Sequence, residues 1–343
     1  MKKVTAVLPA RNCRQELFKC LSALSRGNYV PEMIVVDDGS DDGTREMIRK
    51  YRPSVTYLPL PAHTGYAHAA NAGLRLVRTE YAFLIRPDLM AGKKCIERLL
   101  EAMDREDIFC AVPEILTAGS SRHRKNRPAP ETIAVPDGCA MYRMRTLEEI
   151  GWLDERHFDG LEAFDLSLRA FLRGWRTAEV QGARVQPGSV GRRAGKSAMG
   201  SKTGEKGMFR RQLAAGNMIY VLYKNIPWPV RVPALPLYAA ADAVQIASFI
   251  RHGEFDAYKM AVERGRALCS MEKEKRAALQ NGAGIWPENL SDASFLGMDE
   301  SAEKIYPLFL AEKEPLSLKH LGRYMQIQGM LAAGFPKIIC LFL

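Results

Sequence analysis

The stretch "MIVVDDGSDDGT", residues 33–44, decides the fold. A short apolar run without polar alternation, too brief for a helix, reads as a strand buried on both faces. It runs into two aspartates, a Gly-Ser turn and two more aspartates, and then into the helical pattern "TREMIRKY" (44–51). The same grammar recurs outward. "VTAVLPA" (4–10), "VTYLPL" (55–60), "YAFLI" (81–85) and "IFCAVPEI" (108–115) read as further strands buried on both faces. Between them "QELFKCLSAL" (15–24), "GYAHAANAGLRLV" (65–77) and "KKCIERLLEAM" (93–103) read as helices. Such alternation predicts an α/β fold with a mostly parallel central sheet flanked by helices. In such sheets ligands bind beyond the carboxyl ends of the strands, so the residues after each strand carry the candidate chemistry.

Composition bounds the partners. The chain has 343 residues, enough for one large domain or two smaller ones, and 49 Lys+Arg against 39 Asp+Glu give it a net charge of +10. An anionic partner fits that balance: a nucleotide, a nucleic acid or a membrane surface. Nucleic acid is set aside because only charge speaks for it and no recognition motif accompanies it. The seven cysteines are scattered without a CxxC pair, which fits reduced thiols in a cytoplasmic protein better than a disulfide framework or a zinc site. Met1-Lys2-Lys3 leads straight into an apolar strand, without the pattern of a secretory leader.

The turn after the first strand, "PARNC", lacks glycine, so the dinucleotide fingerprint and the phosphate loop are both excluded. After the second strand, Asp37 and Asp38 offer acceptors for a base imide or ribose hydroxyls, while Ser40 or Asp41 can serve as a helix cap. After the fourth strand, "IRPDLM" places Asp88 in the same crevice, where it suits either a divalent ion shared with a diphosphate or a plain Pro-Asp turn. The Ser-, Pro- and base-rich segment 117–132 reads as a mobile surface loop. A short strand is expected around 139–144. From Arg184 to Arg211, eight Lys/Arg and one Glu read as a flexible basic loop able to close over something anionic.

"HFDGLEAFDLSLRAFLRGW" (157–175) reads as one amphipathic helix closed by Gly174. Glu162 and Asp165 lie one turn apart near its start, with Arg169 a turn further. These acids are candidates for a general base. Asp159 as N-cap with Glu162 in a capping box, and Asp165 paired with Arg169, account for them without catalysis. Beyond residue 228 the apolar stretch is broken by Pro229, Pro233 and Pro236, so it makes a poor membrane span. It reads equally as interfacial helices on a membrane or as helices packed on the main domain, and the apolar tail "MLAAGFPKIICLFL" is too short to span.

Taken in order, "VLPARN", "IVVDDGSDDGT", "HTGYAHAANAGL", "YAFLIRPD", "GCAMYRMRTLEEIGWLDERHF" and "EAFDLSLRAFLRGW" resemble the family 2 glycosyltransferases, in particular a rhamnosyltransferase-like branch of bacterial envelope polysaccharide enzymes. The resemblance covers about residues 4 to 190. It implies a GT-A-type fold, and with the change of character near residue 228 the chain divides into a GT-A domain at 1–227 and a helical, membrane-associating region at 228–343. It also implies an inverting transfer of a sugar from a nucleoside-diphosphate sugar, usually with Mg²⁺ or Mn²⁺, to a lipid-linked or polysaccharide acceptor. By the family's pattern Pro9, Ala10 and Arg11 line the nucleotide, Asp38 contacts its base, and Asp88 sits by the diphosphate and the metal; Asp37 and Arg86 are this chain's further nucleotide-binding candidates.

Three positions depart from that pattern. Arg86 stands where Asp or Asn is usual, and its guanidinium either takes over part of the ion's work or sits beside a single-ligand site. Ala163 stands at the base position, which leaves Glu162 and Asp165 as the candidate acids. "RVQPGSVG" (184–191) has Gln186 and Pro187 and no His. The expectation is a cytoplasmic enzyme, peripheral to the inner face of the membrane. The alternative is a non-catalytic relative that binds nucleotide-sugar or glycan beside an active enzyme.

Overall fold

The structure, a computed structural model, describes residues 4–116, 135, 138–188, 205–226 and 228–280. In chain order these form β1 (Val4–Ala10), α1 (Arg14–Ser25), β2 (Glu32–Asp37), α2 (Thr44–Tyr51), β3 (Thr56–Pro59), α3 (Tyr66–Leu74), β4 (Tyr81–Ile85), β5 (Leu89–Ala91), α4 (Cys95–Ala102), β6 (Ile108–Ile115), β7 (Cys139–Arg143), α5 (Met144–Ile150), a 3₁₀ turn (Glu155–His157), α6 (Glu162–Leu172), β8 (Arg176–Pro187), α7 (Glu205–Asn225), α8 (Trp228–Arg251) and α9 (Phe255–Gln280). The eight strands make one sheet in the order β3-β2-β1-β4-β7-β6-β8-β5.

The first four strands in that order run parallel, so their carboxyl ends share one edge, where Ala10 stands opposite Asp37 and Asp37 opposite Pro59. β7 then enters antiparallel to both β4 and β6, which makes the sheet mixed. Strand alternation sorts the core into two layers. Ala6 and Leu8 pack with Leu17 and Leu21 of α1 and Leu99 of α4. Val7 and Val36 pack with Ala70 and Leu74 of α3 and Leu166 of α6. β3 departs from the expectation of burial on both faces: it is half-exposed, because as the edge strand it has β2 alone for a neighbour.

The segment 157–175 is shorter as a helix than its pattern implies. α6 begins only at Glu162, because Phe158 and Leu161 adopt left-handed backbone at φ 65° and 67°. Leu161 takes the N-cap place, and Asp159 does not cap the helix. The closing glycine is as expected: Trp175 N–H donates to the Ala170 carbonyl at 3.0 Å across Gly174. α6 is also buried nearly all round rather than amphipathic. Phe164, Leu168 and Leu172 pack against Val221 of α7 and Ile226 just beyond its end, which cover the face that would otherwise meet water.

The C-terminal helices also differ from expectation. α8 runs through all three prolines: Pro229 lies in the first turn, where its missing N–H costs nothing, and Pro233 and Pro236 each drop one bond without ending the helix. The basic segment 184–211 starts inside β8 and ends inside α7. Its middle, like 117–132 and the apolar tail, lies outside the described residues. No helix among the described residues is long and apolar enough to cross a membrane.

A buried ion network locks α7 and α9 onto α6. Lys224 Nζ donates to Asp154 Oδ2 at 2.7 Å and to Asp165 Oδ2 at 2.9 Å. Asp165 also accepts from Arg169 Nε at 2.9 Å and from Asn225 Nδ2 at 2.7 Å. Asp154 accepts from Tyr220 OH at 2.8 Å and pairs with Arg156, which reaches Glu272 of α9 at 3.3 Å. Burial disfavours ionised Asp165, but Lys224 and Arg169 outweigh it and hold the carboxyl well below its usual range. Among the described residues, Asp154, Asp165 and Glu272 balance Arg156, Arg169 and Lys224, three charges of each sign. Removing one partner of such a pair strands its counter-charge. Lys224→Met should therefore destabilise the protein by roughly 3–5 kcal/mol in urea denaturation. A loss within experimental error would mean that α7 is held by apolar packing alone.

Candidate active site

The crevice at the carboxyl edge of β1, β2 and β4 is built by turns that hold one another. After β1, Asn12 adopts left-handed backbone at φ 47°, a conformation Asn tolerates better than most residues. Its N–H donates to Ser40 Oγ and its Oδ1 accepts from Asp41 N–H, both at 3.0 Å. Asp42 accepts from Arg14 N–H at 2.8 Å and Thr44 N–H at 3.1 Å, tying the starts of α1 and α2 together. Burial opposes its charge, but these hydrogen bonds prevail and lower its pKa. Neither Ser40 nor Asp41 caps α2: Gly43 takes the N-cap place, and Asp42, one residue before it, receives the Thr44 N–H. Gly39, at φ 70°, lets this turn pass the 62–63 backbone, where a Cβ would stand 3.0 Å from His63 N.

Asp37 and Asp38 are both 4% exposed and already engaged. Asp37 accepts from Ser40 N–H at 2.9 Å and from the Tyr57 hydroxyl. Asp38 Oδ1 accepts from Thr64 N–H at 2.7 Å and Thr64 Oγ1 at 2.9 Å, while Oδ2 accepts from Gly65 N–H at 3.2 Å and lies 2.6 Å from His63 Nδ1. In this geometry they brace the loops that wall the crevice. Pro9 and Ala10 are buried at the end of β1, and Arg11 is exposed at the rim.

At the end of β4, Arg86 grips Asp88 with both arms of its fork: Nε to Oδ1 at 3.0 Å and Nη2 to Oδ2 at 2.9 Å. Burial opposes the guanidinium charge, but Asp88 more than compensates and raises the Arg86 pKa. Gly138, at φ 73°, opens the space, since a Cβ there would fall 2.3 Å from Arg86 Cγ. Gly188 N–H donates to the Asp88 carbonyl at 2.8 Å, and Pro187 and Gln186 pair with Leu89 and Met90. The departures at residue 86 and at 186–187 therefore meet beside Asp88. β5 and this end of β8 gave no signal of their own in the sequence.

The two helix acids part company. Asp165 is sequestered in the ion network. Glu162, at the mouth of α6, is 0% exposed. Ala163 packs into the apolar layer with Leu166 and Leu74. His157, which the sequence did not single out, is buried with no hydrogen-bond partner on either ring nitrogen, and burial pushes its pKa down to about 4.

Among the described residues two places bring candidate cation ligands together, and each already holds a cationic side chain of the protein. Asp154, His157 and Asp165 bring ligand atoms within 4.8 Å of one another. The Lys224 ammonium already stands between the carboxylates, and a divalent ion would add charge to a buried cluster whose listed partners already balance. At Asp88, expected by resemblance to bind the metal, both oxygens are taken by Arg86.

The sequence model of Glycosyl transferase family 2 matches residues 5–160. Over 105 residues, 29% of the chain, the protein is 30% identical to the poly(ribitol-phosphate) beta-N-acetylglucosaminyltransferase TarP of Staphylococcus aureus, of which that match covers 32%. Over 216 residues it is 24% identical to an N-acetylglucosaminyl-diphospho-decaprenol L-rhamnosyltransferase of Mycobacterium tuberculosis, covering 49% of this chain and 70% of that one. The chain thus spans about a third of the length of TarP and rather more of the mycobacterial relative. Among solved structures, the mannosyltransferase PcManGT from Pyrobaculum calidifontis, in complex with GDP-Man and Mn²⁺, is similar with a TM-score of 0.51 at 16% identity over 98% of this chain and 87% of that one. That likeness shows a GT-A-type fold. The part of the chain that carries the strand-end turns and the crevice, residues 5–160, is thus similar to glycosyl transferase family 2.

Proposed function

We propose that the protein is an inverting glycosyltransferase that moves a sugar from a nucleoside-diphosphate donor to a lipid-linked or polysaccharide acceptor of the cell envelope. The observation that supports this reading best is the clasped crevice, in which Arg11 and the braced Asp37 and Asp38 stand at the same sheet edge as Arg86, with the loop before α6 bonded to α3 beside it through the Phe158 carbonyl. The names of the relatives support the acceptor class: one acts on poly(ribitol-phosphate), the other on a decaprenol diphosphate.

In the reaction, the acceptor hydroxyl oxygen bonds to the anomeric carbon as the bond from that carbon to the diphosphate oxygen breaks. A carboxylate takes the hydroxyl proton, and the nucleoside diphosphate leaves with the electron pair. Glu162 is the proposed base. It opens α6 directly after the loop whose Phe158 carbonyl accepts from Ala67 N–H, whereas Asp165 is fixed by Arg169, Lys224 and Asn225 and positions the helix. Burial of Glu162 means that its cover must shift for an acceptor to arrive.

Glu162→Gln should cut transfer and donor hydrolysis by roughly 10²- to 10⁴-fold without lowering the melting temperature. Unchanged turnover would place the base elsewhere. UDP or dTDP at 100 times its dissociation constant should add about 2.7 kcal/mol to wild-type stability. Stabilisation without any turnover would identify the non-catalytic alternative.

The proposed setting is peripheral to the cytoplasmic membrane. Val232, Leu235 and Ile250 of α8 are 45–59% exposed, and their spacing puts them within about a sixth of a turn of one another. Because α9 is tied to Arg156 through Glu272, point changes test docking more cleanly than truncation. Glu substitutions at Val232, Leu235 and Ile250 should abolish flotation of the full chain with anionic liposomes. Equal flotation of the triple variant and wild type would remove α8 from the docking surface.

A further inference from the structure

We propose that Arg86 is the built-in cation for the donor's diphosphate, so that this crevice binds a nucleoside diphosphate without a divalent ion. The inference rests on the nucleotide-donor reading above and deepens it at one subsite. A guanidinium has five N–H donors in a rigid plane. Nε and one N–H of Nη2 are spent on Asp88, at 3.0 and 2.9 Å. Three N–H remain, two on Nη1 and one on Nη2, and the side chain is 24% exposed. Phosphate oxygens match that fork, and charge-assisted bonds to it are strong.

Asp88, in this arrangement, is a positioning residue. It holds the guanidinium by its Nε edge and leaves the far edge for the ligand. A metal at Asp88 would have to share the carboxylate with Arg86, which puts a divalent cation beside the guanidinium with both competing for the same diphosphate. The surroundings agree. No second carboxylate and no imidazole stand at 86 or at 186–187, and Gly138 supplies the space that the arginine stem occupies.

The test is binding of UDP, dTDP and GDP to the full chain by calorimetry, in EDTA and in Mn²⁺. The expected result is that at least one diphosphate binds in EDTA with an affinity within about threefold of that in Mn²⁺. Arg86→Ala should weaken that binding about 10- to 100-fold, the loss expected for a charge-assisted hydrogen-bond pair. Arg86→Asp should make it depend on Mn²⁺. Wild-type binding that vanishes in EDTA and returns with Mn²⁺ would overturn the proposal while leaving the nucleotide reading intact. Absence of binding in both conditions would overturn both. The wild-type comparison needs no variant to fold, so it decides the question alone.

Discussion

The ammonium of Lys224, shared between Asp154 and Asp165, is the interaction on which the working end of the molecule depends. Asp154 precedes the 3₁₀ turn, Asp165 lies in the first turn of α6, and Lys224 lies in the last turn of α7. One charge thus fixes the loop 158–161 from three sides, with Asn217 holding its carbonyls at His157 and Gly160, both at 2.9 Å. That loop has two non-glycine residues in left-handed backbone, a conformation of sparse population that persists only where its surroundings over-determine it. The network supplies that surplus. It also makes helices far along the chain part of the site: Tyr220, Lys224, Asn225 and Glu272 hold the mouth of α6 without touching the crevice.

Much of the sheet was legible because its signals are local. A run such as "YAFLI" is buried on both faces, and its five residues are all buried in β4. Thr44–Tyr51 is a helix with the very ends its pattern implies. What the pattern could not carry was pairing at a distance. β5, three residues long, exists only because β8 passes beside it. α6 looked amphipathic because a sequence window does not show that α7 will cover its polar-looking side.

The candidate site divides in the same way. The crevice's place followed from topology, since parallel strands deliver their carboxyl ends to one edge. The states of its carboxylates did not follow, because those depend on donors scattered along the chain: Tyr57 and Ser40 for Asp37, Thr64 and Gly65 for Asp38, Arg86 for Asp88. Asn12 carried a signal that could have been used, an Asn directly after a strand where left-handed backbone is needed. His157 carried none, because a lone histidine beside a phenylalanine says nothing about its burial.

Gly138 has a consequence for how this crevice could change. It contributes no side chain, yet it sets whether residue 86 can be long. A methyl group there would overlap Arg86 Cγ and Cδ, at 2.3 and 2.5 Å, and would crowd the Tyr66 hydroxyl at 2.9 Å. A descendant that gained a side chain at 138 would have to shorten residue 86, and Asp88 would then lose its fork and stand as a bare carboxylate. Positions 86 and 138 are therefore sterically coupled, and whether Asp88 has a guanidinium beside it is gated by a residue with no side chain of its own.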